Sequence, residues 1–109
     1  MATNLNIYGE SAGSVAGAVI GACTAVVPAS HQYRITKATV TMEGVGYAYI
    51  QVAATNIYAF LFWGAGQQSE DNLTYLIPAA ATVRGWVVQG GGVQVTRMAL
   101  TGYDELTAV

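Results

Sequence analysis

Charge is what this 109-residue sequence has least of: four Lys or Arg and six Asp or Glu, where an ordinary soluble domain devotes about a quarter of its residues to charge. A folded monomer of 11.4 kDa exposes on the order of 5,800 Å², so each of the ten charges has roughly 580 Å² to itself even if all lie at the surface. Much of the exterior is therefore uncharged; contiguous uncharged, partly apolar surface marks contact with another chain, the alternative being a Ser/Thr/Asn/Gln-rich exterior that keeps a monomer soluble, and assembly is favoured. A net charge of -2 and a pI near 5.0 leave no cluster of Lys and Arg for a phosphate backbone, so nucleic acid is not an expected partner.

Cysteine and histidine are down to one each. Cys23 has no partner for an internal disulfide and reads as a small core residue. His31, with one Cys and six scattered acids, makes no metal constellation, so neither a metal nor a cofactor is expected, and His31 itself reads as a polar residue at a strand start. Glu70, Asp71 and Asn72 in "GQQSEDN" offer oxygens but lack the spacing of a calcium loop, and read as a solvated hairpin tip. The run Gly90 to Gly92 lacks the Lys and following helix of a phosphate cradle.

Leaders and membrane spans are also missing from the pattern. The start "MATNLNIYGES" has no positively charged region and does not read as a secretory signal, which leaves the sequon Asn72-Leu73-Thr74 without weight. Ser11 to Ser30 is uncharged, and Gly13, Gly17 and Gly21 fall at the four-residue spacing of a packed membrane helix. The stretch nevertheless has no Leu or Phe, meets Pro28 near its end and lacks flanking cations before Arg34, so no membrane partner is expected. It reads as two short strands, "SVAGAVI" and "ACTAVV", broken near Gly21.

What is there is strand chemistry. β-Branched and aromatic residues fill runs of five to ten, "QYRITKATVTM", "GYAYIQVAA", "NIYAFLFW", "LTYLIP", "TVRGWVVQ" and "GVQVTRMALTGY", punctuated by "EGVG", "WGAGQQSEDN" and "QGGG". Tyr47, Tyr49 and Gln51 alternate with Ala48, Ile50 and Val52. "NIYAFLFW" is apolar on both faces, Tyr58, Phe60 and Phe62 against Ile57, Leu61 and Trp63, as in a strand covered on both sides, the second cover being another subunit in a domain this small. No helical periodicity is sustained. The expected fold is all-β: residues 1–109 as one small antiparallel β-sandwich or jelly-roll-like barrel of seven to nine strands, with little or no helix. Residues 1–14 are either an extended arm that orders on a neighbour through Leu5, Ile7 and Tyr8, or the first strand.

One motif points to catalysis. "GESAG", Gly9 to Gly13, spells the G-x-S-x-G nucleophile elbow, and "YGESAGSVAG" resembles that segment of carboxylesterases. In that family the acid lies between Ser and His, whereas no acid separates Ser11 from His31, and a strand-rich chain of this length lacks the crossover helices of a hydrolase sheet. No catalytic residue is therefore expected, and Ser11 reads as a turn residue between two permissive glycines. Of the aromatics Tyr47, Tyr49, Tyr58, Trp63, Tyr75, Trp86 and Tyr103, most are expected in the core, with Trp63 and Trp86, next to turns or strand ends, as exposed anchors.

Two segments echo each other: "VVPASHQYR" and "LIPAAATVR" each place two aliphatics, Pro-Ala, and an Arg six residues after the Pro. They mark either corresponding corners of a two-sheet fold or one turn solution used twice, and the second reading is favoured because nothing else in the two halves aligns.

The run "TAVVPASHQYRITKATVTM", then "NIYAF", then "LIPAAATVRGWVVQGGGVQVTRMALTGYDEL", about residues 22–105, resembles small β-sandwich structural proteins of tailed bacteriophages, especially capsid decoration or cement proteins. The resemblance implies a non-enzymatic clamp on the outer capsid surface of the virion that holds neighbouring copies of the major capsid protein and stabilises the mature shell by mass action. It also implies self-association, with a trimer as the expected symmetry, and an interface drawn from Leu5, Ile7, Tyr8, Trp63, Trp86 and Tyr103. The competing expectations are a tail or fibre accessory module, or a lectin-like sandwich that holds a host-surface glycan with Trp63 and Trp86.

Overall fold

The computed structural model describes residues 2–13, 19–90 and 94–107. Among these there are nine strands and no helix: β1 (Ala2–Gly13), β2 (Val19–Val26), β3 (His31–Met42), β4 (Gly46–Val52), β5 (Thr55–Phe62), β6 (Gly66–Glu70), β7 (Tyr75–Ile77), β8 (Thr82–Gln89) and β9 (Gln94–Leu106). All pairings are antiparallel. One sheet runs β1-β9-β3-β6, with β7 also on β3, and the other runs β2-β8-β4-β5. If β6 and β7 count as one interrupted strand, successive strands alternate between sheets except at the β4–β5 hairpin, which is the jelly-roll arrangement of a sandwich.

The core is the set of inward positions of both sheets. Ile35, Ala38, Val40 and Met42 of β3, with Met98 and Leu100 of β9, face Ala48 and Ile50 of β4, Phe60 and Phe62 of β5, and Val83 and Val87 of β8. The two-residue period explains this directly, since a half-buried strand must put alternate residues inside. The surface totals 5783 Å², close to the value expected from mass alone, so the scarcity of charge falls on a surface of ordinary size.

Residues Ala2–Gly13 stand as β1, paired with β9 along their whole length. Ile7 is buried and Leu5 packs against the core. Where β1 passes β2, a side chain at Gly9 would overlap the Ala22 carbonyl, so the first glycine of "GESAG" is there for close approach. Ser11 is a buried residue of β1 opposite Thr96, not a turn residue.

Four other expectations are corrected. The described part of "SVAGAVI" joins "ACTAVV" as one strand, β2, with a bulge between Gly21 and Cys23; residues 14–18 lie outside the described set. "GQQSE", read as part of a turn, is β6. The segment after Glu70 is not a hairpin tip, because β6 and β7 both pair with β3. Finally, the two Pro-Ala segments are corresponding corners. Val27 and Ile77 are buried, Ser30 and Ala80 both have positive φ (65° and 70°), and His31 N–H and Ala81 N–H donate to the carbonyls of Pro28 and Pro78. Each corner carries the chain between sheets, and they bond to each other through Val27 N–H to Ala81 O (3.0 Å) and Ala80 N–H to Val27 O (2.9 Å).

Candidate functional site

The distribution of charge picks out one face. Nine of the ten charged residues (Glu10, Arg34, Lys37, Glu43, Glu70, Asp71, Arg97, Asp104 and Glu105) belong to the five-stranded sheet or the loops that leave it, and only Arg84 lies on the other sheet. On the five-stranded sheet they pair across strands: Arg34 Nε with Glu105 at 3.1 Å, Arg97 Nε with Glu10 at 3.0 Å, and His31 Nδ1 with Asp104 at 2.6 Å. Hydrogen bonds from Arg34 and then Gln32 hold the Glu105 carboxyl below its ordinary pKa. Burial, and secondarily Asp104, pushes the Tyr33 phenol up.

The outer face of the four-stranded sheet is different in kind. Because Ala48, Ile50, Phe60, Phe62, Val83 and Val87 turn inward, the intervening residues of β4, β5 and β8 turn out. The register aligns them in rows across the sheet. Leu61, Tyr47, Val88 and Val19 form one row, and Ala59, Tyr49, Trp86 and Gly21 the next. Asn56, Gln51, Arg84 and Thr24 form a third. Trp63 extends the face past the end of β5 and is 87% exposed; Leu61 is 61% and Tyr47 41% exposed. A shallow apolar depression of about 350 Å³ lies among Val45, Tyr47, Leu61, Trp63 and Val88.

The rings are held in place by their neighbours. Tyr47 and Tyr49 stack at 6.2 Å with an interplanar angle of 28°. Trp86 lies beside Gly21, where an added Cβ would sit 3.7 Å from its ring, an ordinary packing distance. Trp86 Nε1 donates to Gln51 Oε1 (3.0 Å), whose Nε2 donates to Asn56 Oδ1 (3.2 Å), and the Arg84 guanidinium stands 5.8 Å from the Trp86 ring. The result is a rigid, nearly uncharged aromatic platform with one polar row at its end.

The six interface residues expected from sequence divide among three places. Trp63 and Trp86 share this platform. Tyr8 (56% exposed) and Tyr103 (43%) lie on the outer side of the five-stranded sheet, while Leu5 and Ile7 serve the core rather than a neighbour. The aromatics are corrected in the other direction: Tyr47 and Tyr103 are exposed, and Tyr58 and Tyr75 are only partly buried at the core margin. Within the single chain "NIYAFLFW" is covered on the side of Phe60 and Phe62, which are buried, while Leu61 and Trp63 stand exposed on the other side. Sequence reasoning put Leu61 with Trp63 on an apolar face but missed Val88 and Val45; the alternation at Tyr47 and Tyr49 was the signal, but only the register says which strands stand beside β4.

The elbow motif assembles nothing. Ser11 pairs with Thr96 and His31 with Leu106, ten residues further along β9, a separation of about 33 Å at the rise of a strand. Ser11 Oγ is buried without a hydrogen-bond partner, and no base lies within reach of it among the described residues. Burial pushes the Cys23 thiol up to about 11, so it stays protonated at neutral pH. No group of three or more metal-ligating side chains occurs among the described residues, and no helix there is long and apolar enough to cross a membrane.

The class that fold and site define is a jelly-roll sandwich with charge on one face and an aromatic platform on the other. No family model matches the chain, and no curated protein matches it. Among solved structures it is similar to a family two carbohydrate esterase from Cellvibrio japonicus at 16% identity and a TM-score of 0.39. The match covers all of this chain and 36% of the esterase chain, and a likeness at that score carries no argument about function.

Proposed function

We propose that this protein is a non-enzymatic structural module that works by docking the nearly uncharged face of its four-stranded sheet in a protein assembly, as a decoration or cement protein on the outer surface of a tailed-phage capsid. The observation that carries the reading is the segregation of charge: nine of the ten charges belong to one sheet or its loops, and the other sheet carries only Arg84, in its terminal row. Depletion of charge together with exposed Trp, Tyr and Leu is the composition of the desolvated centre of an interface. The jelly roll suits this use, and because it also serves lectins, the fold alone does not choose between them. The separation of Ser11 from His31 supports the non-enzymatic half of the reading.

The test is co-sedimentation with mature capsids that lack the protein, comparing wild type with Leu61→Lys and with Thr39→Lys on the opposite sheet. Loss of binding on Leu61→Lys and retention on Thr39→Lys is expected; equal binding by all three removes the platform from the contact.

A second reading has one specific observation behind it. The Trp86–Gln51–Asn56 hydrogen-bonded row lies beside exposed rings, and stacking surfaces with adjacent amide groups suit a sugar face. Aliphatic Leu61, Val88, Val19 and Val45 on the same surface weigh against it. A glycan screen with wild type and Trp86→Ala decides: a hit lost in the variant moves the protein to the lectin class.

A further inference from the structure

We propose that the occupant of the platform is a second copy of this chain, packed face to face about a two-fold axis that runs across the strands, midway between the Tyr47 row and the Tyr49 row. This deepens the assembly reading and rests on it, since it names what covers the same surface. Three observations select this geometry.

The first is that the β5 edge of the sheet is partly blocked to strand addition while the face is open. β5 pairs with β4 on one side only, and an uncharged apolar edge strand is ordinarily a template for another chain. Here two carbonyls of β5 are taken: Ile57 O accepts from the Tyr75 hydroxyl at 2.6 Å, and Leu61 O accepts from the Gln68 side chain. The β5 edge is thereby less available to a second copy than the face.

The second is size. Four strands about 4.8 Å apart and eight residues long at about 3.3 Å per residue make a face of roughly 500 Å², so a pair removes about 1,000 Å² from water. That reaches the lower bound of a specific interface, and protruding Trp63 adds to it.

The third is charge, which chooses the axis. Arg84 lies in the terminal row with Gln51 and Asn56, three rows from Trp63. With the axis across the strands, the two Arg84 side chains fall at opposite ends of the interface, about 20 Å apart. An axis along the strands would place both in the same row on facing strands, where like charges repel. The chosen axis also sets Tyr49 and Trp86 of the partner subunit over the depression bordered by Tyr47, Leu61 and Val88. A face that pairs with itself is isologous and closes at two, so the expected trimer gives way to a dimer.

The geometry places each Leu61 against the Ala59–Leu61 stretch of the other copy's β5, which a charge-complementation experiment reads. Solution mass is measured by sedimentation over a hundredfold concentration range for wild type, Leu61→Lys and Leu61→Glu. Wild type is expected to be dimeric, each variant monomeric, and their equal mixture dimeric again. Leu61 and Ala59 are exposed, and thermal unfolding checks that each variant is folded; the pair Ala59→Lys with Leu61→Glu repeats the test at the closest register. A mixture that stays monomeric, or variants that remain dimeric, overturns the two-fold pair. So does a wild-type monomer at every concentration, and if that monomer binds capsids in a Leu61-dependent manner, the assembly reading survives the loss of the dimer.

Discussion

Gly85 offers the sharpest test of how the two sheets meet beneath the platform. It lies in β8 between outward Arg84 and Trp86, and its own Cα faces the core. A Cβ added there would land on Met98 Sδ of the opposite sheet and 2.8 Å from Cys23 Sγ of β2. Overpacking of this kind costs about 1–3 kcal/mol, and because Met98 is a flexible side chain the middle of that range, about 2 kcal/mol, is expected for Gly85→Ala. Met98 is fully buried, so Met98→Ala alone is expected to cost about 2–5 kcal/mol through the cavity it leaves. Combining them puts the new methyl into that cavity, so the double variant should be more stable than the sum of the single effects by about 1–2 kcal/mol. Urea unfolding of the four proteins measures the cycle, and each kcal/mol corresponds to a shift of about 4–8 °C in Tm for a domain near this size. Strict additivity would refute the reasoning, because it would mean that β8 and β9 do not touch at this point.

Three further outcomes are expected. Ser30 and Ala80 hold positive φ at the two inter-sheet corners, a conformation that costs a non-glycine residue about 1 kcal/mol or more; after the greater freedom glycine has when unfolded, Ser30→Gly and Ala80→Gly should each stabilise by about 0.5 kcal/mol in urea titrations, and destabilisation would mean the corners are not strained. Glu105 is held below its ordinary pKa by hydrogen bonds from Arg34 and Gln32, so its stabilising contribution is complete above the unfolded carboxylate range and disappears as the pH falls through the depressed folded value. Wild type and Glu105→Gln should therefore differ in Tm at neutral pH and converge in acid, whereas a constant difference across pH would show that the charge is not what matters. Cys23, buried and with its thiol pushed up to about 11, should react with a thiol reagent only as fast as the protein opens, so rapid labelling of the native state would contradict its placement in the core.

By itself the sequence determined the class of this protein. β-Branched runs with Gly and Pro punctuation can satisfy their backbone groups and bury their apolar residues only as short strands in two layers, and ten charges on a surface of this size leave much of it uncharged. It determined the alternation that turns Ala48 and Ile50 inward and Tyr47 and Tyr49 outward, because that follows from a two-residue period. It even printed the two corners, in "VVPA" and "LIPA", although the chain between them hid their correspondence. Tertiary structure decided everything that depends on which strand is whose neighbour. "GQQSE" has no strand propensity to speak of and is β6 because β3 has an edge to complete. "GESAG" reads as an elbow in one dimension and is a flat strand in three, its glycine needed for the passage over Ala22 and its serine ten pairing positions along β9 from the lone histidine. The platform is the clearest case. Tyr47, Leu61, Trp86 and Val88 come from three strands up to 41 residues apart, Trp63 from just past the end of one of them, and only the register of β4 with β5 and β8 lays them on one surface, because pairing between distant strands is fixed by the packing of the whole core rather than by any local run of residues.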